Sequence, residues 1–157
     1  MTTAFDDAET AIITLWQSLW TLTPTAYENV TFDPNALSAT DLAAGFVNGE
    51  AWTELKITEL PGLGQMSTAG DAGGTNRLWR VPGLVGAIIN VPVGRGKQQL
   101  RQLLDAASDI FRAYSANTTV GHLLFFNPTV TAAGPNAKDQ AWFQASMIIR
   151  FWYDYTA

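Results

Sequence analysis

The chain has 157 residues, a length typical of one domain built around a single core. Apolar residues make up 47% of it, but charged residues make up only 15%, where about 25% is usual, so little charge remains for the surface. It has no Cys and one His, which excludes disulfides, thiol nucleophiles and the Cys- or His-rich metal sites. A net charge of −5 disfavours a general nucleic-acid binder, because such proteins carry a basic footprint.

The N-terminal sequence MTTAFDDAET has no basic segment followed by an apolar stretch. No run of about 18 uninterrupted apolar residues occurs anywhere in the sequence. We therefore expect a soluble product that is made in the cytoplasm and has no membrane partner.

Charge is distributed unevenly along the chain. Residues 1–59 hold nine acids and one base, a net of −8, whereas residues 60–157 hold five acids and eight bases, a net of +3. The two parts can neutralise each other within one molecule. Alternatively, an acidic surface of one copy meets a basic surface of the next, and the sparse charge and six Trp favour this second interpretation.

The first half of the chain begins with helical periodicity. Apolar residues at three- and four-residue steps predict a helix over residues 4–21, ended by Thr23-Pro24. Aromatic and β-branched residues predict a short strand over 26–32, and residues 33–48 are typical of a loop with a helical turn after Thr40-Asp41. Residues 51–60 alternate, with Trp52 and Glu54 on one face and Thr53 and Leu55 on the other, as in a half-buried strand.

The second half begins with residues 61–76, a Gly-, Ser- and Thr-rich stretch that predicts a flexible loop. A strand is predicted over 78–91, bent at Pro82-Gly83 and Gly86, then a helix over 97–114 with one apolar stripe. A short strand at 123–126 is followed by a loop through Gly134-Pro135, and full alternation over 142–154 predicts a long last strand.

These elements indicate a single α+β domain over residues 1–157. We expect a mostly antiparallel sheet with two helices packed on one face and a long loop or hairpin excursion. No internal repeat and no linker divides the chain.

The segment Gly94-Arg95-Gly96-Lys97 lies between a strand and a helix, where a phosphate-binding loop would lie. A Walker A loop requires Gly where Val91 stands and Ser or Thr where Gln98 stands. The segment therefore predicts a strand-to-helix turn rather than a phosphate site.

No residue pattern predicts catalysis. His122 is the only imidazole and precedes an apolar run, which favours a capping or partly buried role. Glu54 and Asp154 could be paired as glycosidase-like carboxylates, but nothing in their spacing selects them. We expect no catalytic residue, no cofactor and no metal.

The tryptophans divide into two groups. Trp16 and Trp20 lie four residues apart on the first helix, and the pattern favours a core position for Trp16. Trp142 and Trp152 fall on the outer face of the last strand, where two exposed indoles are costly and a partner surface is a reasonable alternative.

Several motifs together resemble the tail terminator-like proteins of long-tailed bacteriophages, over nearly the whole chain. They are Trp20-x-x-Thr23-Pro24-x-Ala26-Tyr27-Glu28-Asn29-Val30-x-Phe32-x-Pro34, Trp52 on the next strand, Arg80-x-x-Gly83, Val91-Pro92-x-Gly94-x-Gly96, and an ending with Trp142-Phe143-Gln144, Phe151 and Tyr153-Asp154. None is a catalytic signature, and residues 33–51 and 61–76 depart from the family pattern.

The resemblance implies a structural virion protein assembled in the host cytoplasm. Such proteins form a ring, commonly of six copies, that caps the tail tube and offers a docking surface to the neck or head-completion protein. The tape measure protein is a further possible partner, and DNA passes through the channel without specific binding. We expect few basic residues to face that channel.

The residues expected at a subunit or tube interface combine aromatic and charged side chains of the strands. They are Trp52, Arg77, Arg80, Trp142, Arg150, Trp152 and Asp154. The loop 61–76 is expected to reach a neighbouring subunit or the tube. Two alternatives stay open: a neck, head-completion or minor tail protein of the same fold, and a small soluble ligand-binding or hydrolytic domain.

Overall fold

A computed structural model describes residues 4–60, 65–66, 78–117 and 123–156. Its helices are α1 (Ala4–Leu19), α2 (Ala39–Ala43) and α3 (Gln98–Asn117). Its strands are β1 (Thr25–Tyr27), β2 (Trp52–Glu59), β3 (Gln65–Met66), β4 (Leu78–Pro92), β5 (Leu123–Phe125), β6 (Thr129–Val130), β7 (Gly134–Pro135) and β8 (Trp142–Thr156).

The described strands form one sheet in the order β1-β2-β4-β8-β5. β4 and β8 form the centre of the sheet, because they pair antiparallel over their whole lengths, from Leu78 with Thr156 to Pro92 with Trp142. β3 pairs with β4 beyond the end of β2, and β6 and β7 pair with β8 beside β5. β1 pairs with β2 in parallel, so the sheet is mostly antiparallel with one parallel pair at an edge.

The core lies on the face of the sheet that α1 and α3 cover. Alternate residues of β2, β4 and β8 point into it, for example Leu55, Val85 and Met147, because side chains alternate along a strand. The apolar stripe predicted for the helix over 97–114, which is α3, supplies the opposing surface. It includes Leu100, Leu104, Ala107 and Phe111. The α+β architecture with two helices on one face is therefore confirmed.

The Trp-x-x-Thr-Pro motif attaches α1 to the sheet. Trp16 and Trp20 are buried and their rings stack with centroids 4.6 Å apart. The Trp16 indole N–H donates to Thr25 Oγ1 and the Trp20 indole N–H donates to Thr23 Oγ1, each at 3.0 Å. Thr23 Oγ1 also lies 2.8 Å from Thr53 Oγ1 on β2, so a motif that carries the family resemblance has a structural role here.

Local boundaries differ from the prediction in several places, and α3 extends to Asn117 rather than 114. The strand expected over 26–32 is limited to β1, because residues 28–30 turn and Asn29 adopts φ 59°. α1 ends at Leu19 rather than 21, and the loop through Gly134-Pro135 contains β6 and β7. The loop predicted at 61–76 lies outside the described residues apart from β3.

Candidate assembly surface

The face of the sheet opposite the helices carries the residues expected at an interface. We call it the outer face; it consists of the alternate residues of β2, β4 and β8 that do not enter the core. Strand register places Arg80 beside Asp154, Pro82 beside Trp152 and Leu84 beside Arg150 on this face. Trp52 and Trp142 lie at its other end, so six of the seven expected residues share one face. Arg77 lies outside the described residues.

Arg80 is held at one end of the outer face by two side chains of β8. Its Nε and Nη2 donate to the two carboxylate oxygens of Asp154 at 2.7 and 2.8 Å, and its guanidinium lies 4.2 Å from the centre of the Trp152 ring. The hydrogen bonds with Asp154 raise the pKa of Arg80 above its ordinary value. Trp152 also contacts Phe126 edge-on, so this group is held by several contacts, partly exposed and electrically neutral.

At the opposite end, Trp142 is buried within the chain. Its ring meets Trp52 edge-on at 6.0 Å, and Trp52 in turn contacts Phe32 at 5.3 Å. The outer position predicted for Trp142 is confirmed, but only 4% of the residue is exposed because Trp52 covers it. Trp142 is therefore a packing residue, and Trp152 is the tryptophan of β8 that remains partly open to a partner.

Asn90 and Asn136 belong to the Trp52 end of the face and were missed by sequence reasoning. Asn90 is fully buried next to Trp52, and its Oδ1 accepts from Asn136 Nδ2 at 3.0 Å. Asn90 breaks no alternation, because it faces away from the core like its neighbours Ile88 and Pro92. Asn90 contacts Asn136, which lies in a loop 46 residues away, and no local sequence pattern indicates such a contact.

Between these two ends no helix packs on the outer face in the described part of the chain, although residues 131–135 border it and Thr131 Oγ1 lies 2.8 Å from Ser146 Oγ. Half-buried Leu84 and Ile88 and exposed Ile148 form a weakly apolar strip. Glu54 and Lys56 pair with each other at 3.3 Å, and Arg150 is exposed. The face combines a partly apolar strip with little net charge, as surfaces that bind other proteins do.

The segment Gly94-Arg95-Gly96-Lys97 forms the predicted strand-to-helix turn. Gly94 and Gly96 have φ of 93° and 76°, a region that favours glycine. Arg95 Nη1 and Nη2 donate to the two carboxylate oxygens of Glu50, each at 2.8 Å, which ties the turn to the loop before β2. Arg95 therefore has a partner already, and the geometry is that of a connection.

The residues considered for catalysis are not brought together. Glu54 pairs with Lys56 and Asp154 with Arg80, so each carboxylate has its own cation. His122 lies outside the described residues. Within the described ranges, no group of three or more His, Asp or Glu side chains could hold a metal ion.

Several cavities of the described surface are small and shallow. Four of them hold between about 200 and 380 Å³. Burial raises the pKa values of Tyr27 and Tyr153, but neither phenol nor Arg80 lines these cavities. Titratable groups with shifted pKa values in a deep pocket would favour an enzyme, and these cavities lack that combination.

None of the described helices is both long and apolar enough to cross a bilayer. No family model matches the chain, and no curated protein matches it in sequence. Eighteen chains of solved structures do match. One of them aligns over 94% of this chain and 96% of its own with a TM-score of 0.53 and 12% sequence identity, and its name states no activity or partner. At that identity the similarity concerns the fold alone, and it supports the single α+β architecture described above.

Proposed function

We propose that this protein is a structural subunit of a bacteriophage tail, a tail terminator that forms a ring on the tail tube. The ring ends tube polymerisation and presents a surface to the neck or head-completion protein. The proposal rests on the family resemblance of the motifs and on the surface that the sheet leaves open. It places the protein in the virion, without an enzymatic activity.

The outer face is the observation that carries the proposal. A sheet with helices on one face buries that face, and its other face is usually polar when it meets water. Here Leu84, Ile88, Ile148 and Trp152 lie on the other face, and the charges at Arg80 and Asp154 neutralise each other. Such a face has the composition of a contact surface, and stacking on a tube or neck ring is the contact that the resemblance implies.

Two arginines support the expectation that the channel does not grip DNA. Arg80 and Arg95 each form a two-bond ion pair with a carboxylate of the same chain, at 2.7 to 2.8 Å. A paired guanidinium attracts phosphate less than a free one, because the partner carboxylate repels the anion. These residues therefore add little positive potential wherever they lie in an assembled ring.

A tube-growth assay tests the function. We expect the wild-type protein, added to polymerising tail tube protein of the same phage, to stop growth and to appear as a ring at one tube end in negative-stain images. Ile148→Glu puts a charge on the outer face and should abolish capping, since burying an unpaired carboxylate is costly. Gln102→Glu is the matched control, because Gln102 is exposed on the helical side.

The outcomes separate the alternatives. Tubes that grow to the same length with and without the protein would contradict a terminator. If the protein instead binds the isolated head connector and leaves tube growth unchanged, the neck or head-completion alternative replaces it. A specific small-molecule ligand or hydrolysis product would support the soluble-domain alternative.

The segment 61–76 has its own test. Deleting residues 63–74 should leave a folded protein that forms rings but no longer joins tubes, because Gly- and Ser-rich segments often order only on binding. Circular dichroism and sedimentation check folding and assembly, and the tube-growth assay checks joining. Normal capping by the deletion variant would show that this segment is not the tube contact.

A further inference from the structure

Seven of the ten exposed large apolar residues of the described chain lie near the two opposite edges of the sheet; the other three are Leu19, Val93 and Ile148. Leu22, Val30, Leu42 and Val47 lie beside β1, at one edge. Leu124, Phe126 and Val130 lie along β5 and β6, at the other edge. Single exposed apolar residues are ordinary, but two clusters at opposite edges are typical of contact surfaces.

Charged residues are also distributed unevenly between these two edges. The acidic edge, as we name residues 28–47, contains Glu28, Asp33 and Asp41 and has no Lys, Arg or His. Val30 is 61% exposed in the turn after Glu28, and α2 exposes Leu42 while burying none of its residues. This edge therefore offers acidic and apolar groups side by side.

The opposite edge has a groove of matching chemistry. The basic groove, as we name it, is about 240 Å³ and lies between the first turns of α3 and the chain around β6. Lys97 and Arg101 line it together with Leu100, Leu104 and Val130. Lys97 also lines the adjoining cavity of about 380 Å³ beside Phe143. The ion pairs of the described residues join other side chains, so both cations are available to a partner.

We infer that the acidic edge of one copy binds in the basic groove of a second copy of this chain. A pair of complementary surfaces at opposite edges produces a head-to-tail contact, which closes into a ring when the rotation permits. An isologous dimer would instead pair each edge with itself and set like charges against each other. The inference rests on the proposed ring function and specifies which surfaces join its subunits.

Paired charge reversals test this contact by sedimentation velocity. Lys97→Glu with Arg101→Glu reverses the groove, and Glu28→Lys with Asp33→Lys reverses the edge. Each double variant alone should raise the dissociation constant at least about tenfold, because like charges then meet across the contact. An equal mixture of the two should associate again to within about threefold of wild type, since each reversed surface complements the other.

Arg112→Glu is the control, because Arg112 is exposed on α3 and lies on neither surface. It should leave association unchanged. Thermal melts check that Asp33→Lys, which removes the acceptor of the Asn35 N–H, leaves the protein folded. If that variant melts early, Glu28→Lys with Asp41→Lys replaces it.

Association that is insensitive to both reversals overturns the inference, as does a mixture that fails to associate. Arg150→Glu tests the outer face, and a loss of association caused by this variant and not by the groove variant would move the contact there. Wild-type protein that remains a monomer also overturns this contact, whereas the tube-growth assay decides the proposed function by itself. The two failures are therefore distinguishable.

Discussion

At the scale of single residues, close packing decides roles that the sequence leaves open. Gly83 on β4 was expected to bend its strand, and the structure gives it a different role. A Cβ built on Gly83 would overlap with the ring of Phe151, its cross-strand neighbour. The missing side chain therefore makes room for an aromatic ring that belongs to the core.

Gly83→Ala should lower the free energy of unfolding by about 1–3 kcal/mol, because the core must shift to accept the methyl group. Gly86→Ala is the matched control on the same strand, since its Cβ would lie 4.0 Å from the nearest atom, the carbonyl oxygen of Lys56. The control should change stability by less than about 0.5 kcal/mol. Urea unfolding of both variants measures the difference, and equal values would refute the packing role.

Tyr27 links stability to pH. Burial raises the pKa of its phenol above the ordinary 10.0, although hydrogen bonds with Gln17 and Thr25 act in the opposite direction. The unfolded chain then loses this proton first, so the stability it contributes is intact below about pH 10 and is lost as the pH rises through the raised pKa.

Wild-type stability should therefore fall more steeply above about pH 10 than that of Tyr27→Phe. Burial and the Asp7 carboxylate also raise the pKa of Tyr153, so Tyr153→Phe should remove a further part of the slope. Urea unfolding over the alkaline range gives the slopes. Parallel curves for wild type and Tyr27→Phe would disprove the link.

At the scale of elements, β8 shows which features of a strand the sequence periodicity predicts and which it does not. Alternation correctly predicted which side chains of this strand face the core, because side chains of a strand alternate by geometry. It could not predict that Trp142 is buried while Trp152 stays partly exposed, because the ring that covers Trp142 belongs to the distant residue Trp52, which Phe32 contacts in turn. The two-residue strands β6 and β7 are too short to carry any period.

The two tryptophans of β8 should therefore respond differently to truncation. Trp142→Ala is expected to lower the free energy of unfolding by about 3–5 kcal/mol, which is the usual cost of truncating a buried large aromatic residue to alanine. Trp152→Ala removes a partly exposed ring and should cost about 1 kcal/mol, while reducing tube capping. Equal losses of stability, measured by urea unfolding, would contradict the burial that separates them.

At the scale of the whole molecule, the arrangement of charge becomes a prediction about association. The acidic edge lies beside β1 at one end of the sheet, and the basic groove lies between α3 and β6 toward the other end, with the first turn of α3 between them. Contacts between exposed charges are screened by salt.

Raising the salt concentration from about 0.05 to about 0.5 M should therefore weaken association of the wild-type protein, since the Debye length falls several-fold. The double groove variant already lacks the electrostatic attraction, so its association should weaken little or should strengthen at the higher salt concentration. Sedimentation at both concentrations measures this. Association that strengthens with salt in the wild type would indicate an apolar contact instead.

The sequence by itself determined the core-facing side of each long element, the single-domain α+β class and the uneven charge of −8 and +3, since these follow from local periodicity and composition. Only the tertiary structure decided that Trp142 is covered, that Gly83 accommodates Phe151 and that the two charged surfaces lie on two sides of the first turn of α3. The physical reason is common to all three. Each depends on which distant strands pair, and pairing over long stretches of chain is set by the packing of the whole core rather than by any local pattern.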